Sequence, residues 1–288
     1  MRQEALVKTS PLSEGFGIEV TDIDLSAPLD DAAFGALRKA WFDSGVMVVR
    51  DQALTPDAQI AFARRFGDLA IHVMDQFLLP GHPEILVLSN RKRPDGTPEG
   101  FEDAGRYWHS DISYEERPAL GSQLYAVEIP PEGGDTMFQD MVRAWETLPD
   151  DLKQRIEGRR ALHSYTRNHK KNETQEGGRP AISAAQGARL TDVVHPIVRT
   201  VEDTGRKALY VNPGFTWAIE GMDEAEGRAL LDALFAHSRD RAFRYVHKWR
   251  PGDLLCWDNR TVMHHATMYD PAYIRHMHRT TIRGPRPV

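Results

Sequence analysis

The stretch Tyr107-Trp108-His109-Ser110-Asp111 places a histidine and an aspartate two residues apart in an aromatic setting. Side chains alternate along a β-strand with a period of two, so a strand here would point His109 and Asp111 to the same side. Two ligands on one face form two corners of a metal site, and the third corner must come from elsewhere. The competing interpretation is a hydrogen-bonded His–Asp pair packed beside Trp108.

The composition is that of an ordinary globular protein and excludes several classes. Of the 288 residues, 41% are hydrophobic and 27% charged. The net charge of −6 argues against a general nucleic-acid binder. There is no apolar run long enough to span a membrane, and Met1 to Leu12 has no signal-peptide core. The one cysteine, Cys256, cannot form an internal disulfide, which fits a cytoplasmic location.

Hydrophobic periodicity divides the chain into many short strands and a few helices. Strands are predicted at residues 17–20, 46–50, 84–88, 123–129, 135–139, 195–200, 208–211, 245–248, 253–257 and 273–283. Helices are predicted at residues 30–44, 56–66, 141–147, 150–158 and 223–236. This pattern favours a single domain over residues 1–288 with a β-sandwich or jelly-roll core.

Two polar stretches are predicted to be loops. Residues 90–106 are rich in glycine and proline and lead into the opening motif. Residues 166–190 are polar and carry no periodic pattern. A loop of this length inside a compact domain is usually functional or disordered, so we predict a mobile lid or loop at 166–190.

A candidate for the third ligand lies in the pair His264-His265, which follows a strand and turn at residues 252–260. In an extended chain these two side chains face opposite ways, so at most one is a ligand. Two histidines and one carboxylate leave three positions open on an octahedral metal, as in non-haem Fe(II) oxygenases. Zinc with three protein ligands and a water is the competing chemistry.

The last predicted strand, Tyr273 to Arg283, carries Arg275 and Arg279 on one face. Their Cα atoms would lie about 13 Å apart. The planar guanidinium suits carboxylates. We predict that these arginines serve two anions, or one anion and the rim of a pocket, although their long side chains could converge. The alternative is a pair of solvated arginines at a sheet edge.

Four motifs together resemble the taurine/2,4-D dioxygenase family of Fe(II)- and 2-oxoglutarate-dependent oxygenases. In family order and spacing they are Trp108-His109-Ser110-Asp111, Gly133-Gly134-Asp135-Thr136, Trp257-Asp258-Asn259-Arg260 with His264 following, and Arg275 to Arg279. The resemblance extends from about Phe66 to Gly284 and selects His264 over His265 as the third ligand. It implies a mixed α+β fold with a mainly β core, a double-stranded β-helix (jelly roll) flanked by helices.

The resemblance also implies a role for each matching residue. The catalytic metal, Fe(II), would be bound by His109, Asp111 and His264. Thr136 and Arg275 would hold the distal carboxylate of 2-oxoglutarate, the co-substrate that reacts with O₂.

On the substrate side, Arg279 would face the anionic group of the substrate and contribute to co-substrate binding. His72 and the backbone N–H of Ile112 would bind the same substrate anion. Tyr165 and Phe215 would be aromatic walls of the pocket. For His72, Tyr165 and Phe215, surface or core packing is the alternative.

The implied reaction couples decarboxylation of 2-oxoglutarate, which yields succinate and CO₂, to hydroxylation of a substrate C–H bond. A hydroxylated carbon that bears a heteroatom leaving group would then be cleaved. Asp75 and Gly105 stand where the taurine enzymes have tyrosine and asparagine, so taurine itself is in doubt. We predict a small anionic organic substrate: a taurine-like sulfonate, an aryloxyalkanoate or other carboxylate, or a phosphonate.

The remaining expectations are a homo-oligomer, either dimer or tetramer, with no nucleic-acid or membrane partner. Two other functions stay open. A zinc-dependent hydrolase would use the same His/Asp/His site but would leave Thr136 and Arg275 without a purpose. A non-catalytic jelly-roll binding protein would need no such metal set.

Overall fold

The computed structural model describes residues 7–13, 16–102, 104–167, 187 and 190–288. The strands are β1 (Lys8–Pro11), β2 (Ile18–Thr21), β3 (Val46–Val49), β4 (Leu78–Leu79), β5 (His82–Ser89), β6 (Ala119–Glu128), β7 (Thr136–Asp140), β8 (Arg160–His163), β9 (Val193–Pro196), β10 (Val198–Thr200), β11 (Lys207–Leu209), β12 (Thr216–Ile219), β13 (Arg244–His247), β14 (Leu254–Asp258), β15 (Val262–Ala266) and β16 (His276–Arg283). The α-helices are α1 (Asp31–Ser44), α2 (Pro56–Arg64), α3 (Met141–Glu146), α4 (Asp150–Ile156) and α5 (Glu224–Ser238). Short 3₁₀ helices lie at Asp75–Phe77 and Arg241–Phe243.

Two facing sheets form the centre of the protein. The larger has eight strands in the order β1-β2-β3-β14-β6-β16-β5-β4, and the smaller has three in the order β13-β7-β15. Their inner faces share one apolar cluster, to which Phe138 of β7 contributes from one side and Leu124, Trp257 and Met277 from the other. Thr136, His264 and Arg279 of the site described below lie on strands of these two sheets, and the other predicted site residues lie in the segments between the elements given above.

The outer face of the large sheet is covered by α1 and α2. Trp41 of α1 and Phe62 of α2 pack in a second cluster with Met47 and Cys256 of the sheet. Helix α1 begins where the Asp30 side chain accepts a hydrogen bond from the Ala33 N–H, which satisfies an otherwise unpaired backbone donor. The short strands β8 to β12 form two smaller sheets.

The predicted helices agree with the structure to within two residues at either end. The strand predicted at 123–129 starts four residues earlier, at Ala119. The strand predicted from Tyr273 starts only at His276, because Tyr273 closes a turn with Asp270 and the Arg275 N–H bonds to the side chain of Asn90. The segment predicted as one strand at 195–200 is split between β9 and β10.

The mainly β architecture with flanking helices is as predicted. Residues 91–102 and 104–106 contain no helix or strand, as predicted for that loop. Most of the predicted lid at 166–190 lies outside the described residues. None of the described helices combines the length and apolar character needed to cross a bilayer.

Candidate active site

His109 and His264 face each other across an isolated antiparallel bridge. The N–H of His109 donates to the carbonyl of His264 at 3.0 Å, and the N–H of His264 donates back at 2.8 Å. Directly opposite residues in an antiparallel pair project their side chains to the same face. The two imidazole rings accordingly lie 4.1 Å apart between centroids. His265, the next residue of β15, packs instead against Trp108, as the alternation predicts.

The prediction that Asp111 lies on a strand with His109 is wrong. The bridge ends at His109, and Asp111 begins a turn in which Ile112 adopts a left-handed φ of 52°. Such a conformation is strained for a β-branched residue and persists where the surroundings enforce it. The turn still brings an Asp111 oxygen to 3.5 Å from His109 Nε2 and another to 3.9 Å from His264 Nε2.

These three residues form the one group among the described side chains that has the composition and spacing of a metal site. One donor atom from each lies within 4.8 Å of the others, and all three residues are buried. The Nδ1 of His109 lies 2.8 Å from the Tyr107 carbonyl. Since a carbonyl only accepts, Nδ1 carries the proton and the Nε2 lone pair is left for a metal.

The protonation states suit metal binding. Burial of Asp111 alone would raise the pKa of its carboxyl, but Arg279 and the two histidines lower the pKa well below its usual value. Burial and the neighbouring His109 lower the pKa of His264 well below its usual value. The site therefore combines a carboxylate with a neutral imidazole, which are the forms that bind metals.

A buried polar network fixes the Asp111 carboxylate and backbone. Ser122 on β6 donates to Asp111 Oδ2 at 2.7 Å. The Asn259 side chain accepts from the Asp111 N–H at 3.0 Å and donates to Ser122 at 3.0 Å. Trp257 donates its indole N–H to the same Asn259 oxygen. The Trp257-Asp258-Asn259-Arg260 motif thus reaches the metal site through Asn259.

A second polar region centres on Arg275, which contacts Gly134, two residues before Thr136 at the start of β7. Arg275 is buried, and its Nε donates to the Gly134 carbonyl at 3.2 Å. No ion pair among the described residues includes Arg275. Burial lowers the pKa of Arg275 to about 10. A Cβ on Gly134, whose φ is 67°, would come within 3.1 Å of the Arg275 side chain, so the glycine leaves room for it.

Arg279 lies at the metal ligands. Its Nη1 donates to Asp111 Oδ1 at 3.1 Å, and its Nε has no hydrogen-bond partner among the described residues. The two arginines of the last strand therefore occupy different surroundings, and neither is solvated at a sheet edge.

A pocket opens next to the metal ligands and gathers the predicted substrate-binding residues. His72, Ile112, Tyr165, Phe215 and Arg279 all line it, together with His109 and Asp111. His72 is half-buried, and its Nδ1 accepts from the Met74 N–H at 3.2 Å, which leaves the proton on Nε2.

Aromatic rings form most of the pocket wall. Phe215 lies 4.8 Å from Tyr114, 5.9 Å from Tyr107 and 6.2 Å from Tyr165 between ring centroids. Gly214 allows this loop to approach, since a Cβ there would lie 2.8 Å from the Tyr107 ring.

Several site residues are absent from the sequence-based predictions. Tyr107, Phe101 and Tyr114 also line the pocket. Tyr107 belongs to the opening motif and Tyr114 lies three residues beyond Asp111, so proximity in the chain was an available signal. Ser122 carried none, because it reaches Asp111 only through the pairing of β6 in the large sheet.

The two positions that depart from the taurine enzymes have different outcomes. Gly105 lines the pocket with a φ of 77°, and a Cβ there would lie 3.1 Å from the His109 ring. Asp75 is exposed at the start of a 3₁₀ helix and does not line the pocket.

A sequence model described as taurine catabolism dioxygenase TauD, TfdA family matches residues 8–281. The chain belongs to this family. It is 37% identical over 284 residues to an alpha-ketoglutarate-dependent 2,4-dichlorophenoxyacetate dioxygenase of Cupriavidus pinatubonensis, covering 96% of this chain and 97% of the relative. It is 35% identical over 285 residues to an (S)-phenoxypropionate/alpha-ketoglutarate-dioxygenase of Sphingobium herbicidovorans, covering 96% and 94%.

Solved structures agree with this assignment. The crystal structure of AAD-2 in complex with Mn(II) and N-oxalylglycine matches with a TM-score of 0.81 at 31% identity, over 98% of both chains. Family membership confirms the predicted enzyme class, a dioxygenase that depends on 2-oxoglutarate (alpha-ketoglutarate). It lends no support to the zinc hydrolase or to the non-catalytic binding protein.

Proposed function

We propose that this dioxygenase binds Fe(II) at His109, Asp111 and His264 and hydroxylates a small anionic aromatic substrate. An aryloxyalkanoate is favoured over the other candidates, which are a taurine-like sulfonate, another carboxylate and a phosphonate. The observation that carries this proposal is the pocket in which aromatic rings meet Arg279 beside the metal-ligating residues. The co-substrates are 2-oxoglutarate and O₂, and the co-products are succinate and CO₂.

The donor set fits iron. Two imidazoles and one carboxylate leave three positions open on an octahedral metal, which characterises non-haem Fe(II) oxygenases. The hydrogen bond from Ser122 to Asp111 and the one from the His109 ring to the Tyr107 carbonyl orient two of the ligands in advance. Zinc fits the same donors, but it gives no reason for the second polar region.

The second region fits the distal carboxylate of 2-oxoglutarate. An arginine buried without an anionic partner is costly, and a ligand carboxylate would offset that cost. Arg275 would supply this charge, and Thr136 on β7 would add a hydroxyl donor. AAD-2, a relative at 31% identity, was solved with N-oxalylglycine, which has two carboxylates like 2-oxoglutarate.

The substrate anion would lie near Arg279, His72 and the Ile112 N–H, all of which border the pocket. Tyr165 and Phe215, with Tyr107 and Tyr114, would surround an aromatic ring, because edge and offset contacts between rings are favourable. The named substrates of the two relatives above, 2,4-dichlorophenoxyacetate and (S)-phenoxypropionate, combine a ring with a carboxylate.

When bound, iron with 2-oxoglutarate and O₂ would supply the oxidising power that replaces a substrate hydrogen with a hydroxyl group. The residues of the chain would do the rest. Arg279 and His72 would hold the anion and thereby orient the C–H bond toward the metal ligands. The aromatic wall would exclude water. Hydroxylation of a carbon that bears an ether oxygen would then lead to cleavage.

The proposal also includes the fold type, the oligomeric state, the cellular location and the lid. The two facing sheets are consistent with a double-stranded β-helix (jelly roll) in a single domain over residues 1–288. The homo-oligomer, the cytoplasmic location and the lid at 166–190 stay predictions.

An anaerobic titration tests the metal and the co-substrate. We expect Fe(II) and 2-oxoglutarate together to produce a weak visible metal-to-ligand charge-transfer band. No band combined with tight zinc binding would favour the hydrolase, and no metal binding would favour the binding protein.

A succinate-release screen then tests the substrate class. We expect phenoxyacetate and phenoxypropionate to give faster release than taurine or alkyl phosphonates at equal concentration. Release with aliphatic sulfonates alone would contradict the aromatic assignment.

A further inference from the structure

The direction of one hydroxyl proton decides whether Thr136 helps to bind a carboxylate. A threonine hydroxyl has one proton to donate and two lone pairs to accept with, whereas a carboxylate only accepts. Thr136 is buried, so the orientation of its hydroxyl proton depends on the few polar groups that surround it. Another group must therefore orient the hydroxyl if Thr136 is to bind 2-oxoglutarate well.

Trp249 is placed to do this. Its indole Nε1 lies 3.1 Å from Thr136 Oγ1, and both residues are buried. An indole N–H donates and never accepts, so Thr136 must be the acceptor in this contact. Among the described residues, this is the hydrogen bond that Thr136 Oγ1 makes. The hydroxyl proton is thus left for a partner that the described part of the chain does not provide.

The ring of Trp249 is in turn held by His247. The two rings meet edge to face, with centroids 4.5 Å apart and planes at 85°. His247 pairs directly with Thr136 across the β13–β7 ladder, so Trp249 lies two residues beyond that register point. The position of the indole is therefore set by the same strand pairing that places Thr136.

His247 itself has a single satisfactory orientation. Its Nε2 lies 3.0 Å from Asp253 Oδ2 and its Nδ1 lies 2.9 Å from the Tyr245 hydroxyl. Burial lowers the pKa of His247, which favours the neutral ring. A neutral ring donates from Nε2 to the Asp253 carboxylate, so Tyr245 must donate to Nδ1.

Asp253 is anchored at the far end of this network. Arg50 Nη1 donates to Asp253 Oδ2 at 2.7 Å, and Arg50 also pairs with Glu19 at 2.9 Å. The backbone N–H of Arg250 donates to the same Asp253 oxygen at 2.9 Å. Asp253 Oδ2 thus accepts three hydrogen bonds, whereas Oδ1 has no partner among the described residues. The network that Oδ2 joins restricts the His247 ring, and this ring contacts Trp249.

We propose that Trp249 is a positioning residue that directs the Thr136 hydroxyl proton to the distal carboxylate of 2-oxoglutarate, with His247 and Asp253 holding its ring. This inference rests on the proposed function, since it assumes that Thr136 and Arg275 bind the co-substrate. Loss of the indole N–H leaves the hydroxyl free to rotate. A hydrogen bond to a charged group is lost or weakened, so 2-oxoglutarate should bind about tenfold more weakly.

A double-mutant cycle tests the inference by binding rather than by activity. The variants are Trp249→Phe, Thr136→Val and the combination, each loaded with Mn(II) and titrated with 2-oxoglutarate by calorimetry. We expect about tenfold weaker binding for each single variant and no further loss for the double variant. Thr136→Ser should bind as the natural protein does. Trp145→Phe, a tryptophan in a different cluster, is the matched control and should change nothing.

A second ligand separates orientation from packing. 2-Oxopentanoate has the chain length of 2-oxoglutarate with a methyl group in place of the distal carboxylate. Its affinity should not change in the Trp249→Phe variant. Additive losses in the cycle, or an equal loss for 2-oxopentanoate, would mean that Trp249 only packs, and the inference would be wrong.

Two further measurements keep the outcomes distinct. Benzothienylalanine at position 249 replaces the N–H by sulfur with almost the same shape, and it serves if Trp249→Phe does not fold. It should weaken 2-oxoglutarate binding to the same extent. If Arg275→Ala and Thr136→Val both bind 2-oxoglutarate normally, the proposed co-substrate site fails. If only the Trp249 variants bind normally, the inference alone fails.

Discussion

The two ends of the site are built by different means. At the metal and co-substrate end, His264, Thr136 and Ser122 lie on strands and Asp111 is fixed by hydrogen bonds from two directions. At the substrate end, the wall comes from turns and loops, and ring contacts hold its side chains. Under the proposed assignment, the sheet would set the chemistry, and loops that can change without disturbing the sheet would set the choice of substrate.

The largest expected effect comes from removing a metal ligand, and the neighbouring residue of β15 provides a control. His264→Ala should lower kcat by more than about 1000-fold, since the metal loses a ligand. His265→Ala, the adjacent residue that faces Trp108, should stay within about threefold. Succinate release and bound iron measure both variants. Bound iron at the natural level in His264→Ala would contradict the assignment.

Arg275→Ala should have the next largest effect, and this effect should be confined to the KM for 2-oxoglutarate. Removing one partner of a buried charge pair costs about 2–5 kcal/mol, so the KM for 2-oxoglutarate should rise about 30-fold or more. The KM for the aromatic substrate should change by less than about threefold. Arg283→Ala, at the other end of β16, is the matched control. Equal rises in both KM values would show that the two ends are not separate.

Arg279→Ala tests the substrate end of the site. The KM for the anionic substrate should rise about tenfold, because one charge-assisted hydrogen bond is lost. Since Arg279 also contacts Asp111, iron affinity is measured in parallel. A rise of less than about threefold would argue against an anion at this position. His72→Ala should act in the same direction with a smaller effect.

The smallest expected effect concerns the aromatic wall of the pocket and tests whether Phe215 contacts the substrate. Phe215→Leu keeps an apolar side chain but removes the ring contacts, which are worth about 0.5–1.5 kcal/mol each. The ratio of kcat/KM for phenoxyacetate to that for an aliphatic sulfonate should fall about fivefold. The KM for 2-oxoglutarate should not change. An unchanged ratio would mean that Phe215 packs the loop without contacting the substrate.

The sequence allowed the metal end to be predicted more fully than the substrate end. Alternation along an extended segment separated His264 from His265, and the motif phase chose between them. The alternation of side chains along a strand was wrong for Asp111, because no local sequence signal indicates that Ile112 takes a left-handed φ. Ser122 was missed since its contact with Asp111 depends on sheet register, a non-local property.

The tyrosines of the pocket were predicted incompletely for a related reason. Tyr165 and Phe215 could be placed by motif, whereas Tyr114 enters the wall because the turn at Ile112 redirects the chain. Periodicity describes regular elements, and the substrate end of this site contains few of them.

The bridge between His109 and His264 has a mechanical consequence. These segments are distant in sequence and are joined at that point by one pair of backbone hydrogen bonds. A metal bound by both imidazoles would cross-link the same two residues. Metal binding would then raise the free energy needed to open this junction, and a junction that opens more easily would bind the metal more weakly.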